Sequence, residues 1–160
     1  MTYTNIDWNS VWKVLYEKNT ECRGTGECAS LWASREKART FLAQSRQSPE
    51  RIGYVLDSLP LEAGSTVLDV GAGPGTLAVP LSRRVARVTA VEPAAGMADV
   101  MTEYAGEEGV SNLDIVRKRW EEIDPACDIA PPYDRVVASF SLTMPDIRSA
   151  AAAMNAAASE

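Results

Sequence analysis

The chain has 160 residues, 46% of them hydrophobic and 24% charged, with a formal net charge of -6 and a pI of about 4.8. That is enough for one domain with a real hydrophobic core, and the acidic balance argues against tight, sequence-independent binding to nucleic acid, which needs clustered Lys and Arg. The sequence holds no histidine, which removes Ser-His-Asp and Cys-His mechanisms and histidine metal centres.

Trp8, Val11, Trp12, Leu15 and Tyr16 fall at helical spacing and predict a short amphipathic helix near the N-terminus. This start is polar and aromatic rather than a secretory signal, and no apolar run is long enough to span a membrane, so the expected compartment is the cytoplasm. Cys22 to Cys28, with Gly24 and Gly26, reads as a loop. Cys22, Cys28 and Cys127 make neither a disulfide framework nor a zinc pattern; free thiols and no metal are expected. Leu31, Trp32, Ala38, Phe41 and Leu42 predict a second helix, with a basic face at Arg35, Lys37 and Arg39 expected to be merely solvated. Trp32 and Phe41 would act either as a lid or as ordinary packing residues. A third helix is predicted from Ser48, a candidate N-cap, with Pro49 at its first position and an apolar stripe of Ile52, Val55, Leu56 and Leu59.

Beyond the turn at Leu59 to Gly64, strands and helices alternate. Thr66 to Val70 is a short buried strand, Thr76 to Val85 a helix, Arg87 to Glu92 a second strand, and Pro93 to Ala105 a helix closed by Gly106. Leu113 to Val116 and Tyr133 to Phe140 are the third and fourth strands, and the Ala-rich stretch from Asp146 to Glu160 is helical. This order implies βαβ units, right-handed crossovers and a parallel sheet, an α/β fold. We expect one domain over residues 1–160, with an N-terminal helical cap region at 1–60 and the core at 61–160.

The segment with chemical content is Val67-Leu68-Asp69-Val70-Gly71-Ala72-Gly73-Pro74-Gly75-Thr76. Alternate glycines after a buried strand permit a sharp turn and close approach of a ligand to the main chain. A helix starting there is expected to aim free N–H groups and its positive dipole end at that ligand. Asp69 stands at the strand's carboxyl end, where open α/β sheets bind ligands, and Glu92 closes the next strand, placed to take ribose hydroxyls. A dinucleotide fingerprint would carry a third glycine where Thr76 stands.

With these residues in place, the sequence resembles the class I, S-adenosylmethionine (SAM)-dependent methyltransferases, whose fold is Rossmann-like. Asp69 to Gly75 is similar to their first motif, Val91 to Met97 to their second, and Tyr133 to Ser139 to the motif on their fourth strand. The likeness runs from about Arg51 to Asp146. The Trp-rich start and Ser139-Phe140-Ser141-Leu142 also resemble archaeal, methanogen-type members. The resemblance implies SAM as cofactor, S-adenosyl-L-homocysteine (SAH) as product, and a cofactor set of Asp69, Gly71, Ala72, Gly73, Gly75, Thr76, Glu92, Pro93, Met97, Arg119, Trp120 and Ser139. Asp69 would orient the amino group, Glu92 the ribose, and Met97 would lie against the adenine. The Asp that usually meets the adenine amino group is missing at Arg117 to Glu121; backbone at Arg119 and Trp120, or the Glu121 side chain, is left to replace it. Ser139 and Ser141 would lie beside the reacting methyl.

The implied reaction is in-line transfer of a methyl group to an unidentified small molecule or protein, with no catalytic base assigned. The alternatives are a non-catalytic SAM-binding or partner subunit and an NAD-dependent oxidoreductase. The family usually has seven strands, whereas four are legible here, so a core truncated after the fourth strand is expected, with an unpaired apolar edge. A fragment, a chain completed by another polypeptide, and a homodimer through that edge all remain open; a truncated, self-associating chain is preferred.

Overall fold

The computed structural model describes residues 6–22 and 32–159. Three helices come first: α1 (Trp8–Cys22), α2 (Arg35–Ser45) and α3 (Pro49–Ser58). The core follows as β1 (Thr66–Val70), α4 (Ala78–Ser82), β2 (Arg87–Val91), α5 (Ala95–Glu107), β3 (Leu113–Val116), β4 (Arg135–Val137) and α6 (Ile147–Ala157), with a single 3-10 turn at Trp120–Glu122. The four strands form one parallel sheet in the order β3-β2-β1-β4. The expected α/β fold with a parallel sheet and N-terminal helices is therefore the one observed.

Strand alternation sorts the apolar residues to two faces. Val67, Val88 and Ala90 pack with Leu56 of α3, Leu77, Leu81 of α4 and Met101 of α5. Leu68, Val70 and Val91 face the other way, onto Trp120, Ile129, Tyr133 and Met154. Tyr133 is almost wholly buried, and its hydroxyl is satisfied twice, donating to Thr89 Oγ1 at 3.0 Å and accepting from the Ala130 N–H at 3.0 Å. With β1 central and β4 added on the side away from β2, the chain changes winding direction between β1 and β4. Open α/β sheets bind ligands at the carboxyl ends of the strands at such a point.

Several expected elements differ in extent. The helix expected over 76–85 spans only Ala78–Ser82, because the glycine-rich turn continues through Leu77. The fourth strand, expected over 133–140, pairs with β1 only at Arg135–Val137. Tyr133 instead forms a parallel bridge with Ala158, so the edge outside β4 begins to be covered by residues that follow α6. Helix α5 runs through Gly106; the glycine that ends it is Gly109, in the left-handed region at φ 66°. Ser48 sits at the N-cap of α3 but makes no side-chain capping bond. The loop expected between Cys22 and Cys28 lies outside the described residues, as does Leu31.

The basic face of α2 is not merely solvated. Arg35 meets Asp99 at 2.7 Å and Arg39 meets Glu103 at 2.9 Å, both on α5. Beneath these pairs Ala38 and Leu42 pack on Ala94, Met97, Val100 and Tyr104. Gly96 permits this close approach: a Cβ there would stand 2.5 Å from the Ala33 carbonyl oxygen.

Candidate functional site

The turn after β1 carries three glycines in the left-handed region, Gly71 (φ 72°), Gly73 (φ 58°) and Gly75 (φ 83°). Each meets a different constraint. A Cβ on Gly71 would fall 2.3 Å from Ser141 Cβ, and one on Gly75 would fall 2.8 Å from Met101 Cγ. One on Gly73 meets nothing within 4 Å, because that glycine faces open space.

The open space is a cleft of about 640 Å³ above the carboxyl ends of β1, β2 and β4, a size that suits a small-molecule ligand. Of the residues expected to bind a cofactor, Asp69, Gly71, Ala72, Gly73, Thr76, Glu92, Pro93, Met97, Arg119, Trp120 and Ser139 all line it. Gly75 does not; it lies under the turn against Met101 and Val79. Met97 lines the cleft while Met101 is wholly buried in the core, so the two methionines of α5 have separate places. Trp32 and Phe41, in edge contact with ring centroids 5.5 Å apart, also line it.

Two buried carboxylates dominate the floor. Asp69 is 2% exposed, and its Oδ2 has no hydrogen-bond partner. Burial, and then repulsion from Glu92, push its pKa up to about 7. Glu92 is also buried and also raised, by desolvation, partly offset by two backbone donors. Its Oε2 accepts from the Gly73 N–H and its Oε1 from the Ala94 N–H, each at 2.8 Å. The Thr76 hydroxyl is a second cleft-lining polar group left without a partner.

The four donors of the turn itself that lead to the helix are engaged within the protein. Gly71 and Ala72 donate to the Val91 carbonyl at 2.8 and 3.1 Å, Gly73 to Glu92, and Gly75 to the Ala72 carbonyl at 3.1 Å. The first three of these donors join the end of β1 to the end of β2, and the fourth closes the turn on itself. The floor consequently offers acceptors and negative charge, an environment that stabilises a cation and repels an anion.

The N-terminal helices supply a wall that the sequence did not reveal: Gln44 and Ser45 of α2 and Arg51, Ile52 and Val55 of α3. Helical periodicity marks Ile52 and Val55 as apolar but cannot say which pocket they face. The segment after β4 supplies Phe140, Ser141, Thr143 and Met144. Ser141 Oγ donates to the Val70 carbonyl at 2.5 Å, fastening this segment to the end of β1. Among the described residues there is no group of three or more Cys, Asp or Glu able to hold a metal, and no helix long and apolar enough to cross a membrane.

Comparison with known proteins gives a concordant result. Residues 67–159 match a family described as the methyltransferase domain. The chain is 32% identical over 133 residues to the ribosomal RNA small subunit methyltransferase G of Pelotomaculum thermopropionicum, covering 78% of this chain and 55% of that protein. It is 39% identical over 79 residues to the ubiquinone biosynthesis O-methyltransferase of Methylocella silvestris, covering 49% of this chain and 29% of that one. Among solved structures, coclaurine N-methyltransferase bound to N-methylheliamine and SAH superposes with a TM-score of 0.61 at 18% identity, covering 71% of this chain and 33% of that one. The chain spans about a third to a half of the length of the first curated relatives it matches.

Proposed function

The chain belongs to the methyltransferase domain family, and from that premise we propose that its cleft binds SAM and directs the methyl group to an acceptor. The observation that carries this reading is the pair of buried carboxylates, Asp69 with an unpartnered Oδ2 and Glu92 beside it, at the floor of a cleft whose turn keeps its own N–H donors. A buried, unpaired acceptor is costly unless a ligand completes it. SAM fits these acceptors in chemistry: it brings an ammonium group, ribose hydroxyls and, on its positively charged sulfur, an activated methyl. A dinucleotide fits poorly, because its pyrophosphate needs the donors that Gly71, Ala72, Gly73 and Gly75 spend within the protein.

The roles follow from position. Asp69 would accept from the cofactor's amino group, and Glu92 would take ribose hydroxyls on the lone pairs that Gly73 and Ala94 leave free. Gly71 and Ala72 shape the floor, Gly73 leaves room above it, and Thr76 offers its unpartnered hydroxyl. Gly75 acts indirectly, by letting the turn settle on Met101. Pro93, Met97, Arg119 and Trp120 would flank the adenine, and Ser139 the reacting end. Trp32 and Phe41 would restrict water at the cap side, the part played by residues 1–60 in a single domain whose core is 61–160. No side chain in the cleft is assigned as a general base, so the nucleophile would arrive already reactive. A cytoplasmic location accompanies this reading.

Trp32 and Trp120 line the cleft, so their fluorescence reports its occupancy. Titration with SAH should give a saturable change that NAD neither mimics nor displaces. Competition by NAD at comparable concentration would sink the reading.

A further inference from the structure

Phe140 is the exception among described non-glycine residues: it holds φ 56° and the residue is 88% exposed. Left-handed backbone is unfavourable for an aromatic residue and persists where the surroundings impose it, commonly at functional sites. The surroundings here are identifiable. Ser141 is tied to the Val70 carbonyl and pressed on Gly71, so the chain between β4 and Ser141 turns Phe140 outward at the cleft's rim. Among the described residues its ring partner is Arg51, whose guanidinium carbon lies 4.8 Å from the ring centroid. Arg51 comes from the opposite wall, in the first turn of α3, and both residues line the cleft.

Arg51 also differs from several other arginines of the chain. Arg46, Arg83 and Arg84 each meet a carboxylate, whereas among the described residues Arg51 meets none. Stacking uses the face of a guanidinium and leaves its N–H edge, which matches a carboxylate in a two-pronged fashion. Ile52 and Val55 continue the same wall with apolar surface.

We infer that Arg51 and Phe140 form the acceptor-recognition pair at the mouth of the cleft, selecting a flat, anionic small molecule: the Arg51 edge takes its carboxylate and the Phe140 ring its planar body. This rests on the methyltransferase reading for the cleft beneath. The pair complements the acidic floor, since a cationic group is drawn to Asp69 and Glu92 and an anionic one is held at the rim. It also draws on both halves of the chain, with Arg51 from the N-terminal helices and Phe140 from the core.

The probe is 2-naphthoate, titrated calorimetrically into the SAH-saturated chain beside its neutral amide and beside cyclohexanecarboxylate. The expected result is that 2-naphthoate binds roughly tenfold more tightly than the amide, that Arg51→Gln abolishes this preference, and that Phe140→Gly weakens both flat ligands. Both variants should bind SAH like the wild type, and Phe140→Gly should be no less stable, since it relieves the backbone. Equal binding of acid and amide, no binding of 2-naphthoate, or a preference unchanged by Arg51→Gln would overturn the inference while leaving SAH binding intact. Failure of the wild-type chain to bind SAH would overturn the methyltransferase reading first, and the pair's role with it.

Discussion

The two sides of the helix α5 show how differently this chain is held together. On the cap side, α2 rests on α5 through small residues, an apolar cluster and surface ion pairs, and among the described residues no buried side-chain polar atom there lacks a partner. On the cleft side, the turn after β1 is left-handed at three positions, two carboxylates are buried together, and Asp69 Oδ2 and Thr76 Oγ1 lack partners. The first region is arranged for stability, the second is kept unsatisfied for something that binds.

Substitutions at glycine should separate these two kinds of region most sharply. Gly71→Ala places a methyl 2.3 Å from Ser141 Cβ on a left-handed backbone, and a loss of about 3 kcal/mol in chemical denaturation is expected. Gly73→Ala shares the backbone penalty but meets only open space, so it should cost about 1–2 kcal/mol and weaken SAH binding more than its stability loss explains. If both variants lost stability equally with unchanged binding, the distinction between support and cleft would collapse.

Gly96→Ala drives a methyl against the Ala33 carbonyl and is expected to cost about 2 kcal/mol, loosening α2 without touching the acidic floor. Hydrogen exchange should then rise in α2 and remain low in β1. Arg39→Ala removes one exposed ion pair to Glu103, and its effect on stability should stay below about 1 kcal/mol.

Acidity gives a further contrast. Asp69 titrates near 7 in the free fold, against an ordinary carboxylate value of 3.8 when unfolded. Its folded pKa is raised, so its contribution to stability is fully present below the unfolded value and is lost as pH rises toward 7. A cation bound beside it favours the ionised form. Affinity for SAM should therefore increase as pH climbs from 5.5 to about 7 and level off above it, while the melting temperature of the free chain falls over the same window. A flat affinity profile would show that Asp69 does not meet the ligand's charge.

Much of the core was legible because its signals are local. The boundaries of β1 and β3 agree with the sequence pattern, since each is a compact apolar run ended by a turn. The glycines and the acids at 69 and 92 declared the cleft floor because that chemistry requires specific residue types at fixed spacing. What was not legible is non-local. Tyr133 pairs with Ala158 rather than extending β4, and no periodicity foretells that bridge. Arg35 and Arg39 looked like a solvated face because their partners, Asp99 and Glu103, lie 64 positions away in the chain. The wall formed by Arg51, Ile52 and Val55 depends on how α3 sits over the sheet, which pattern alone does not supply. That Val91 and Glu92 accept the N–H groups of Gly71, Ala72 and Gly73 is a consequence of strand register, which no local pattern announces.

The most direct test of the central claim is calorimetric titration of SAH into the wild-type chain and into Asp69→Asn at pH 8. Removing a buried charge should leave the variant folded and at least as stable, while its SAH affinity should drop by about tenfold or more, as expected for loss of a charge-assisted contact. An Asp69→Asn chain that is folded and binds SAH as tightly as the wild type would contradict the assignment of the buried carboxylates to the cofactor.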